Sequence, residues 1–420
     1  FRKLTYIDYT NVVKILKSLQ FRDLQQEDFL RINSEYVDPK TGVTKMSNIR
    51  TEVSGLGNIS KYCKTDNILD NNGGVYGSFE QKSLLRNDDD SLIYPVDFED
   101  FNFRVSLQVE KKFNQGAGII RGMIDKWSDN KKTFRLINRT TLKHDKYPLK
   151  VDLSIVRSSK KIDRNYVPEY RFTNSGVLES SMEYEIEIEL DPEKIGYGTE
   201  YNTPDKIAYS LRKVIKYVLS GLQGTNYPVS YREQKDILNE YMNILWNEKK
   251  EHFVKPKNFI GPSSYTLQMY NIIPTEETNM PNINNNYTVT DKADGERKLL
   301  YISNKKKIYL IDTNMNVQYT GAITDNDDLK GTIIDGEHIL HNKEGKFINL
   351  YAAFDIYYLK GEDVRSKAFI PIENVDDKTL LNYRLPLMVN TIKDIRPRSI
   401  IKDSDVPIRI EKKKFYKSSN

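Results

Sequence analysis

The chain has very few of the residues that build disulfide frameworks and zinc sites. Its 420 residues include one cysteine, Cys63, and four histidines. A single thiol excludes an internal disulfide and a paired-cysteine metal site, and it fits a reducing compartment. Four scattered histidines argue in addition against a zinc centre. We therefore expect neither disulfides nor zinc to hold this fold.

Long apolar runs and an excess of charge of one sign are also missing. No segment approaches 18 consecutive apolar residues and no leader pattern opens the chain, so we expect neither a membrane span nor a signal peptide. The formal net charge is only +5, from 64 basic and 59 acidic residues. Bulk charge therefore does not identify a nucleic-acid partner, and any such surface must be local. Because the sequence begins with Phe1 rather than methionine, we expect it to be an excerpt of a longer protein.

Length and periodicity predict two domains. A chain of 420 residues is longer than one core normally serves. Apolar residues follow a helical period over Asp8–Leu19 and over Pro204–Trp246, whereas Thr44–Leu190 and Tyr287–Phe354 have the alternation of short strands. Strands that follow one another without helices between them predict an antiparallel barrel or sandwich in the first block. We place the domain boundary between residues 225 and 257.

The most informative motif is Lys292–Arg297, of sequence KADGER, directly behind the strand-like run Tyr287–Thr290. The amine of Lys292 can attack a nucleotide α-phosphate, and Gly295 lets the backbone come close to a phosphate. Arg297 supplies fixed donors for phosphate or ribose. The motif therefore predicts a nucleotidyl transferase that works through a covalent lysyl intermediate.

Two strand-like runs downstream of Lys292 carry candidate partners for it. The first ends in Asp335-Gly336-Glu337, and the second contains Phe354 and Asp355. Nucleotidyl transfer needs an acid near the ribose or a metal, and an apolar slot for the base. Ordinary core packing remains the alternative for Phe354, and Asp-Gly pairs are also frequent in turns. The coincidence of the three motifs favours the catalytic interpretation.

A second feature is the strand-like run Glu183–Leu190, of sequence EYEIEIEL. Side chains alternate along a strand, so four glutamates share one face and apolar residues share the other. An edge strand with a solvated outer face is one interpretation. Carboxylates about 6–7 Å apart repel each other, however, so a strand inside a hydrophilic tunnel that holds Mg²⁺ or Mn²⁺ is the other. Polar faces on neighbouring strands, such as that of Arg135 and Arg139, favour the tunnel.

Together these motifs resemble the mRNA capping enzymes of large DNA viruses, of the poxvirus, African swine fever virus and mimivirus types. That family joins a tunnel triphosphatase to a lysine-dependent guanylyltransferase, and the order of the two modules here is the same. The resemblance covers most of the chain and implies an α+β fold. We expect an antiparallel β-tunnel of the triphosphate tunnel metalloenzyme kind over residues 1–225 and a helical linker over 226–256. The N-terminal part of a covalent nucleotidyltransferase domain, ATP-grasp-like and of the ligase and capping type, is expected over 257–420.

The resemblance also implies a role for individual residues. Lys292 would attack GTP to give a lysyl-GMP intermediate and release pyrophosphate. The residues expected to bind the nucleotide are Asp294, Arg297, Glu337, Phe354 and Asp355, with Asp355 supporting the site or its metal. Mg²⁺ or Mn²⁺ would be held by Glu185, Glu187 and Glu189. Candidates for phosphate contacts in the tunnel are Arg135, Arg139 and Arg157.

The implied partners are GTP, the RNA 5′ end of nascent viral mRNA and a cap methyltransferase domain or subunit, without a membrane. The implied location is the host cytoplasm or the virion. Two departures from the family pattern matter. The Glu-x-Glu strand that tunnel triphosphatases carry near their start is not found before Tyr6, and the later lysine motif of the transferases is not provided by Lys412–Tyr416. We therefore expect a truncated transferase domain and predict that Lys412–Tyr416 is a basic surface run facing RNA.

Two other functions are compatible with parts of the sequence. An ATP-dependent polynucleotide ligase would use the same lysine chemistry, but it has no reason to carry a triphosphatase strand upstream. A non-catalytic RNA-binding capping subunit would keep the fold without the chemistry, but the intact motif at Lys292 weighs against decay. Labelling of the protein by GTP or by ATP distinguishes the three.

Overall fold

The computed structural model describes residues 1–274, 281–284, 287–371, 375–401 and 407–417. The chain divides into two units, Phe1–Leu222 and Gln223–Asn420. The helices are α1 (Tyr6–Ser18), α2 (Leu56–Thr65), α3 (Gly118–Asp125), α4 (Pro204–Gln223), α5 (Tyr231–Trp246), α6 (Asp377–Leu380) and α7 (Arg384–Ile395). No helix in these ranges is both long and apolar enough to cross a bilayer.

The first unit contains strands β1 to β11. They are β1 (Arg22–Val37), β2 (Thr44–Ser54), β3 (Gly77–Leu84), β4 (Val96–Phe98), β5 (Phe103–Val105), β6 (Gln108–Phe113), β7 (Lys132–Lys143), β8 (Leu149–Ser158), β9 (Lys161–Ile162), β10 (Asn165–Tyr166) and β11 (Glu183–Leu190). Seven of them form one sheet in the order β11-β8-β7-β1-β2-β3-β6. All neighbours in this sheet are antiparallel.

This seven-stranded sheet is strongly curled. Strands β3 and β11 stand five places apart in the strand order, which would separate them by about 24 Å in a flat sheet. Yet Lys82 Nζ on β3 lies 3.8 Å from Glu189 Oε1 on β11. Side chains of one face therefore meet across a concavity. The antiparallel sheet that the sequence predicts is confirmed in this coarser form, but α2 and α3 lie between its strands along the chain, where we expected no helices.

The larger apolar clusters of the sheet lie on the outer, convex face because polar and apolar side chains alternate along its strands, and a small cluster of Phe29, Ile137 and Val156 lies on the inner face. Val12 and Leu16 of α1 and Val214 and Val218 of α4 pack there against Val151, Leu153 and Ile186 of β8 and β11. A second outer cluster joins Ile59 and Tyr62 of α2 to β1 and β7. The helices thus cover the outside and leave the charged face of the strands inward.

The second unit contains strands β12 to β21. They are β12 (Thr288–Val289), β13 (Glu296–Ile302), β14 (Lys307–Asp312), β15 (Val317–Ile323), β16 (Thr332–His341), β17 (Phe347–Leu359), β18 (Glu362–Asp363), β19 (Arg398–Ser399), β20 (Arg409–Lys412) and β21 (Tyr416–Lys417). The main sheet has the order β18-β17-β16-β13-β14-β15-β19, and β20 joins it parallel to β17.

Both faces of this second sheet are covered, so its central strands are apolar on both sides. Leu299 and Tyr301 of β13 belong to a core that includes α5, whereas Leu300 and Ile302 belong to a core that includes α7. This explains the continuous apolar runs in the sequence.

Helix α5 belongs to the second unit, although we predicted residues 226–256 as a linker. Its residues Ile237, Tyr241 and Met242 are buried in the core of the sheet. Two glutamates fasten its polar side: Glu233 Oε1 accepts hydrogen bonds from Lys307 and Tyr309, and Glu240 Oε2 accepts one from Tyr301. The stretch is helical as expected, but tertiary packing makes it part of a domain.

Candidate functional sites

The loop that carries Lys292 is held at both ends. Before it, Val289 of β12 pairs with Tyr416 of β21, and the Thr290 hydroxyl donates to the Lys414 carbonyl at 2.7 Å. After it, β13 begins at Glu296. Lys292 and Asp294 are exposed and make no hydrogen bond or ion pair within the described residues. The amine is therefore presented on a fixed loop and is open to a ligand.

Gly295 is required by a close approach between this loop and β16. A Cβ atom at Gly295 would lie 2.9 Å from the His338 carbonyl oxygen and 2.9 Å from Ile339 Cγ1. Backbone atoms cannot give way as the tip of a side chain can. The glycine of the motif thus sets how near the Lys292 loop comes to the strand that carries Glu337.

Arg297 lies at the centre of a dense network. Its Nε and Nη2 atoms donate to Asp335 at 3.2 and 2.6 Å, and Nη1 donates to the Pro262 carbonyl at 2.6 Å. The guanidinium lies between two aromatic rings, with its Cζ atom 5.4 Å from the Phe259 centroid and 5.7 Å from that of Phe354. Three of its five N–H groups are engaged in these bonds.

Asp335 is the buried anchor of this network. Its side chain is 0% exposed, and the Tyr357 hydroxyl donates to Oδ2 at 2.6 Å. Burial raises the pKa of Asp335, although the Arg297 and Tyr357 donors oppose the effect. With every oxygen already paired inside the protein, this carboxylate orients Arg297 rather than binding a ligand itself.

Glu337 has the opposite character. It pairs in register with Arg297 across β13 and β16, so the two side chains share a face. Its Oε2 atom is buried without a hydrogen-bond partner, and Oε1 lies 3.9 Å from Lys413 Nζ. A buried carboxylate oxygen without a donor is costly unless a ligand supplies one. Glu337 can therefore accept a hydrogen bond from a bound hydroxyl or amine.

Lys413 is a site residue that the sequence prediction missed. We predicted Lys412–Tyr416 as a basic surface run, but β20 lies alongside β17 and directs Lys413 inward. Its side chain is 10% exposed, and its Nζ atom lies 5.6 Å from the Phe354 ring centroid. The neighbours Lys412 and Lys414 are exposed. Alternation along a short strand was the signal available, but three consecutive lysines conceal it.

Asp355 is not free to bind a metal. Arg384 donates to it twice, from Nε to Oδ1 at 2.8 Å and from Nη2 to Oδ2 at 3.2 Å. The adjacent Phe354 is directed towards Arg297 and Lys413. The two residues of this motif thus have separate partners, and of the two it is Phe354 that lies against the cations of the candidate nucleotide site.

In the first unit, the four glutamates of β11 share the concave face as predicted, and each has a cationic neighbour. The ion pairs are Glu183–Lys161 at 2.9 Å, Glu185–Arg135 at 2.9 Å, Glu187–Arg139 at 3.0 Å and Glu189–Lys82 at 3.8 Å. Protein cations therefore offset much of the repulsion that suggested a metal. Arg135 and Arg139 lie inside the concavity, as the resemblance implies.

The residues that could hold a metal differ from the expected set. Carboxylate oxygens of Asp152, Glu187 and Glu189 all lie within 4.8 Å of one another, and Glu185 is not part of this group. Asp152, on β8, is 5% exposed and pairs with Arg139 at 2.9 Å. Because Asp152 is in register with Glu187 across the two strands, the sheet brings them together.

The trio fits a hard divalent cation. Burial raises the pKa of Glu189, and the nearby Asp152 and Glu187 raise it further against the effect of Lys82. Burial would also raise the pKa of Glu187, but Arg139, Lys82 and Arg31 lower it overall. The charge of Glu189 is thus only partly offset by Lys82 and Arg139, and the donors are all carboxylate oxygens, which suit Mg²⁺ or Mn²⁺.

Arg157 does not join this site. Its position on β8 has the parity of Val151 and Leu153, which pack on the convex face. Its Nη1 atom donates to the carbonyls of Leu178 at 2.8 Å and Ser180 at 2.6 Å. Arg157 therefore holds the loop of Leu178 and Ser180 on the convex face of the sheet, opposite to the face of Asp152.

Comparison with known proteins supports the resemblance that the motifs suggest. Residues 276–420 match the family model of the mRNA capping enzyme, catalytic domain. Over 403 residues the chain is 26% identical to a probable mRNA-capping enzyme of Acanthamoeba polyphaga mimivirus, a match that covers 89% of this chain and 30% of the relative. The predicted similarity to capping enzymes of large DNA viruses is thus confirmed, and the chain spans less than a third of this relative's length.

Structural comparison is less informative. A conserved hypothetical protein from Pyrococcus furiosus is similar at 11% identity and a TM-score of 0.20, over 49% of this chain and 84% of that chain. A likeness at this level carries no argument about fold or function.

Proposed function

We propose that the second unit transfers GMP from GTP to an RNA 5′-diphosphate end through Lys292, as a guanylyltransferase of viral mRNA capping. One observation carries this proposal. Arg297, Glu337 and Phe354 are far apart in sequence, but they converge on one face of the sheet, within the range that matches a capping-enzyme catalytic domain.

The chemistry requires two displacements at the same phosphorus. First, the neutral amine of Lys292 forms a P–N bond to the α-phosphate, its proton leaves, and the bond to the β-phosphate breaks to release pyrophosphate. Next, a terminal oxygen of an RNA 5′ diphosphate attacks the same phosphorus, the P–N bond breaks, and the lysine takes up a proton. RNA capped with GMP is the product.

The surrounding side chains supply binding and charge. Glu337, with its unpaired buried oxygen, would accept a hydrogen bond from a ribose hydroxyl. Phe354 would offer its ring to the base, and Arg297 would donate to a phosphate oxygen. Lys413 adds positive charge beside Glu337 and Phe354, where a nucleotide triphosphate needs it.

For the first unit we propose removal of the RNA 5′ γ-phosphate in the concavity of the curled sheet. Asp152, Glu187 and Glu189 would hold Mg²⁺ or Mn²⁺, which when bound polarises a phosphoryl oxygen. Arg135 and Arg139, directed into the same concavity, would bind the phosphate chain. A diphosphate RNA end is what the second unit consumes, so the two activities would follow one another.

Labelling with α-labelled GTP tests the transferase proposal. The protein, incubated with GTP and a divalent cation, should acquire acid-labile, alkali-stable label, and Lys292→Ala should abolish it. Lys330→Ala, at a partly exposed lysine of the same unit that pairs with Asp327, is the control and should retain labelling. Label from ATP but not from GTP would identify a ligase-type transferase, and absence of label from either nucleotide would indicate a non-catalytic RNA-binding subunit.

A further inference from the structure

The ion pair between Arg384 and Asp355 connects the first residue of helix α7 to strand β17, next to Phe354. Arg384 makes a bidentate pair with Asp355, and both side chains are largely buried, at 19% and 16% exposure. Its Nη1 atom donates to the carbonyl of Arg365 at 3.2 Å and to that of Lys367. All three nitrogen atoms of the guanidinium are thus engaged in fixed bonds.

The same guanidinium is linked through two aromatic rings to the segment that carries Lys413. Its Cζ atom lies 5.6 Å from the Phe369 ring centroid, and Phe369 packs edge-on against Phe415 at 5.0 Å. Phe415 is two residues after Lys413, whose Nζ atom lies over Phe354. Arg384 therefore supports Phe354 through Asp355 and supports Lys413 through two aromatic rings.

The position of Arg384 is unfavourable for the helix that contains it. Arg384 is the first residue of α7, and its N-cap residue, Tyr383, makes no side-chain capping bond. A cation at a helix N-terminus opposes the helix dipole, where an acid or a neutral cap is preferred. Arg384 breaks this preference although it is largely buried and all its nitrogen atoms are bonded. Its presence therefore indicates that contacts outside the helix require an arginine here.

The backbone beside Asp355 is irregular in a way that needs such support. The register between β16 and β17 shifts between the pairs Asp335–Asp355 and Gly336–Ala353, so Phe354 is the extra residue of a bulge. Bulges redirect a side chain relative to the regular strand. Here the bulge directs Phe354 towards Arg297 while Asp355 is directed to Arg384.

We propose that Arg384 is a positioning residue that fixes the bulge at Phe354 and thereby sets the base-binding surface of the nucleotide site. This inference rests on the proposed transferase function. Loss of Arg384 leaves Asp355 partly buried, without its cationic partner and close to Asp335, whose pKa it already raises. The bulge would then relax, and Phe354 and Lys413 would lose their mutual placement.

Direct binding of GTP to full-length protein in a Lys292→Ala background tests this inference without requiring turnover. Arg384→Gln is expected to weaken GTP binding at least tenfold. In the Lys292-intact protein it should raise the KM for GTP more than it lowers the rate of label formation at saturation. Arg384→Lys should not rescue binding, because an ammonium cannot make the bidentate pair.

A double-mutant cycle separates positioning from general destabilisation. Asp355→Asn combined with Arg384→Gln should bind GTP no more weakly than Arg384→Gln alone, because the two residues act as one unit. The control is Arg365→Gln, at a nearby and more exposed pair with Asp363, which should leave GTP affinity within twofold. Thermal unfolding of each variant shows whether the fold is retained.

Unchanged GTP affinity in a folded Arg384→Gln protein would overturn the inference, as would an equal loss in Arg365→Gln. If Arg384→Gln does not fold, Asp355→Asn alone decides the question through the same affinity measurement. Failure of the Lys292→Ala protein with an intact Arg384 to bind GTP would instead contradict the proposed function, so the two failures are distinguishable.

Discussion

At the scale of single residues, the chemistry of the candidate sites depends on which carboxylates are already paired. Asp335 and Asp355 are bound by arginines, whereas Glu337 keeps a buried oxygen without a donor. The three acids are similar in sequence context, because each comes after an apolar run within its strand. Only the pairing distinguishes an orienting acid from a ligand-binding one.

Gly295→Ala is expected to lower both activity and stability of the second unit. The added Cβ would meet a backbone oxygen and a side-chain carbon at 2.9 Å, so the Lys292 loop must move away from β16. Overpacking of this kind costs about 1–3 kcal/mol. GMP labelling should fall at least tenfold, measured beside thermal unfolding. Gly122→Ala, in helix α3 with nothing within 4 Å of the added atom, is the matched control and should lower neither.

Metal binding by the first unit should weaken as the pH falls. The pKa of Glu189 is raised, so a proton occupies this carboxylate to higher pH than usual and competes with the cation. Mn²⁺ affinity, measured by calorimetry, should rise with pH through that pKa and then level off. Glu189→Gln should weaken binding and flatten the profile, and it should stabilise the metal-free protein, because it removes an ionised group that burial disfavours.

The matched control for this experiment is Glu183→Gln. Glu183 lies on the same strand and face but pairs with Lys161 outside the trio, so its substitution should preserve both affinity and pH profile. Mn²⁺ binding that does not vary with pH, or that Glu183→Gln weakens as much as Glu189→Gln does, contradicts the assignment of the trio.

At the scale of elements, packing decides the role of a segment whose type the sequence already predicts. The helical period of α5 and the strand alternation of β11 are both present in the structure. The assignment of α5 to a domain, however, comes from three buried side chains and two glutamates that contact a sheet formed much later in the chain. Amphipathic period shows that a helix has an apolar face, but not which core covers it.

Glu240→Ala should destabilise the second unit. The change leaves the buried Tyr301 hydroxyl and the Asn304 amide without their acceptor. Loss of the partner of the buried Tyr301 donor costs about 1–3 kcal/mol. Denaturant unfolding measures the difference, and Glu251→Ala, at an exposed pair with Lys235, serves as the comparison with little expected effect. Equal stability of the two variants would mean that these bonds do not fasten α5.

At the scale of the whole molecule, the two units carry separate sets of candidate functional residues. Acids and arginines line the concavity of the first, and the lysine loop with Arg297, Glu337, Phe354 and Lys413 lies in the second. The comparison with capping enzymes covers both units at the level of sequence. Two activities that share a chain but not a site should be separable by substitution.

Glu187→Ala should abolish γ-phosphate release from triphosphate RNA while leaving GMP labelling within twofold. Lys292→Ala should do the reverse. Glu187 is a member of the acidic trio and also pairs with Arg139. We therefore expect at least a hundredfold loss of phosphate release. Glu183→Ala, on the same strand, should retain both activities. Parallel loss of both activities in Glu187→Ala would show that the functions are not divided between the units as proposed.

The sequence by itself determined the motifs, the alternation of strands and the order of the two modules, because these depend on residue type and local period. It could not determine that Asp152 rather than Glu185 completes the acidic trio, that Arg157 faces outwards, or that Lys413 lies beside Glu337 and Phe354. Those facts follow from strand register and from the curl of the sheet. Both arise only when segments distant in sequence pair and pack, which fixes the face and the partner of every side chain at once.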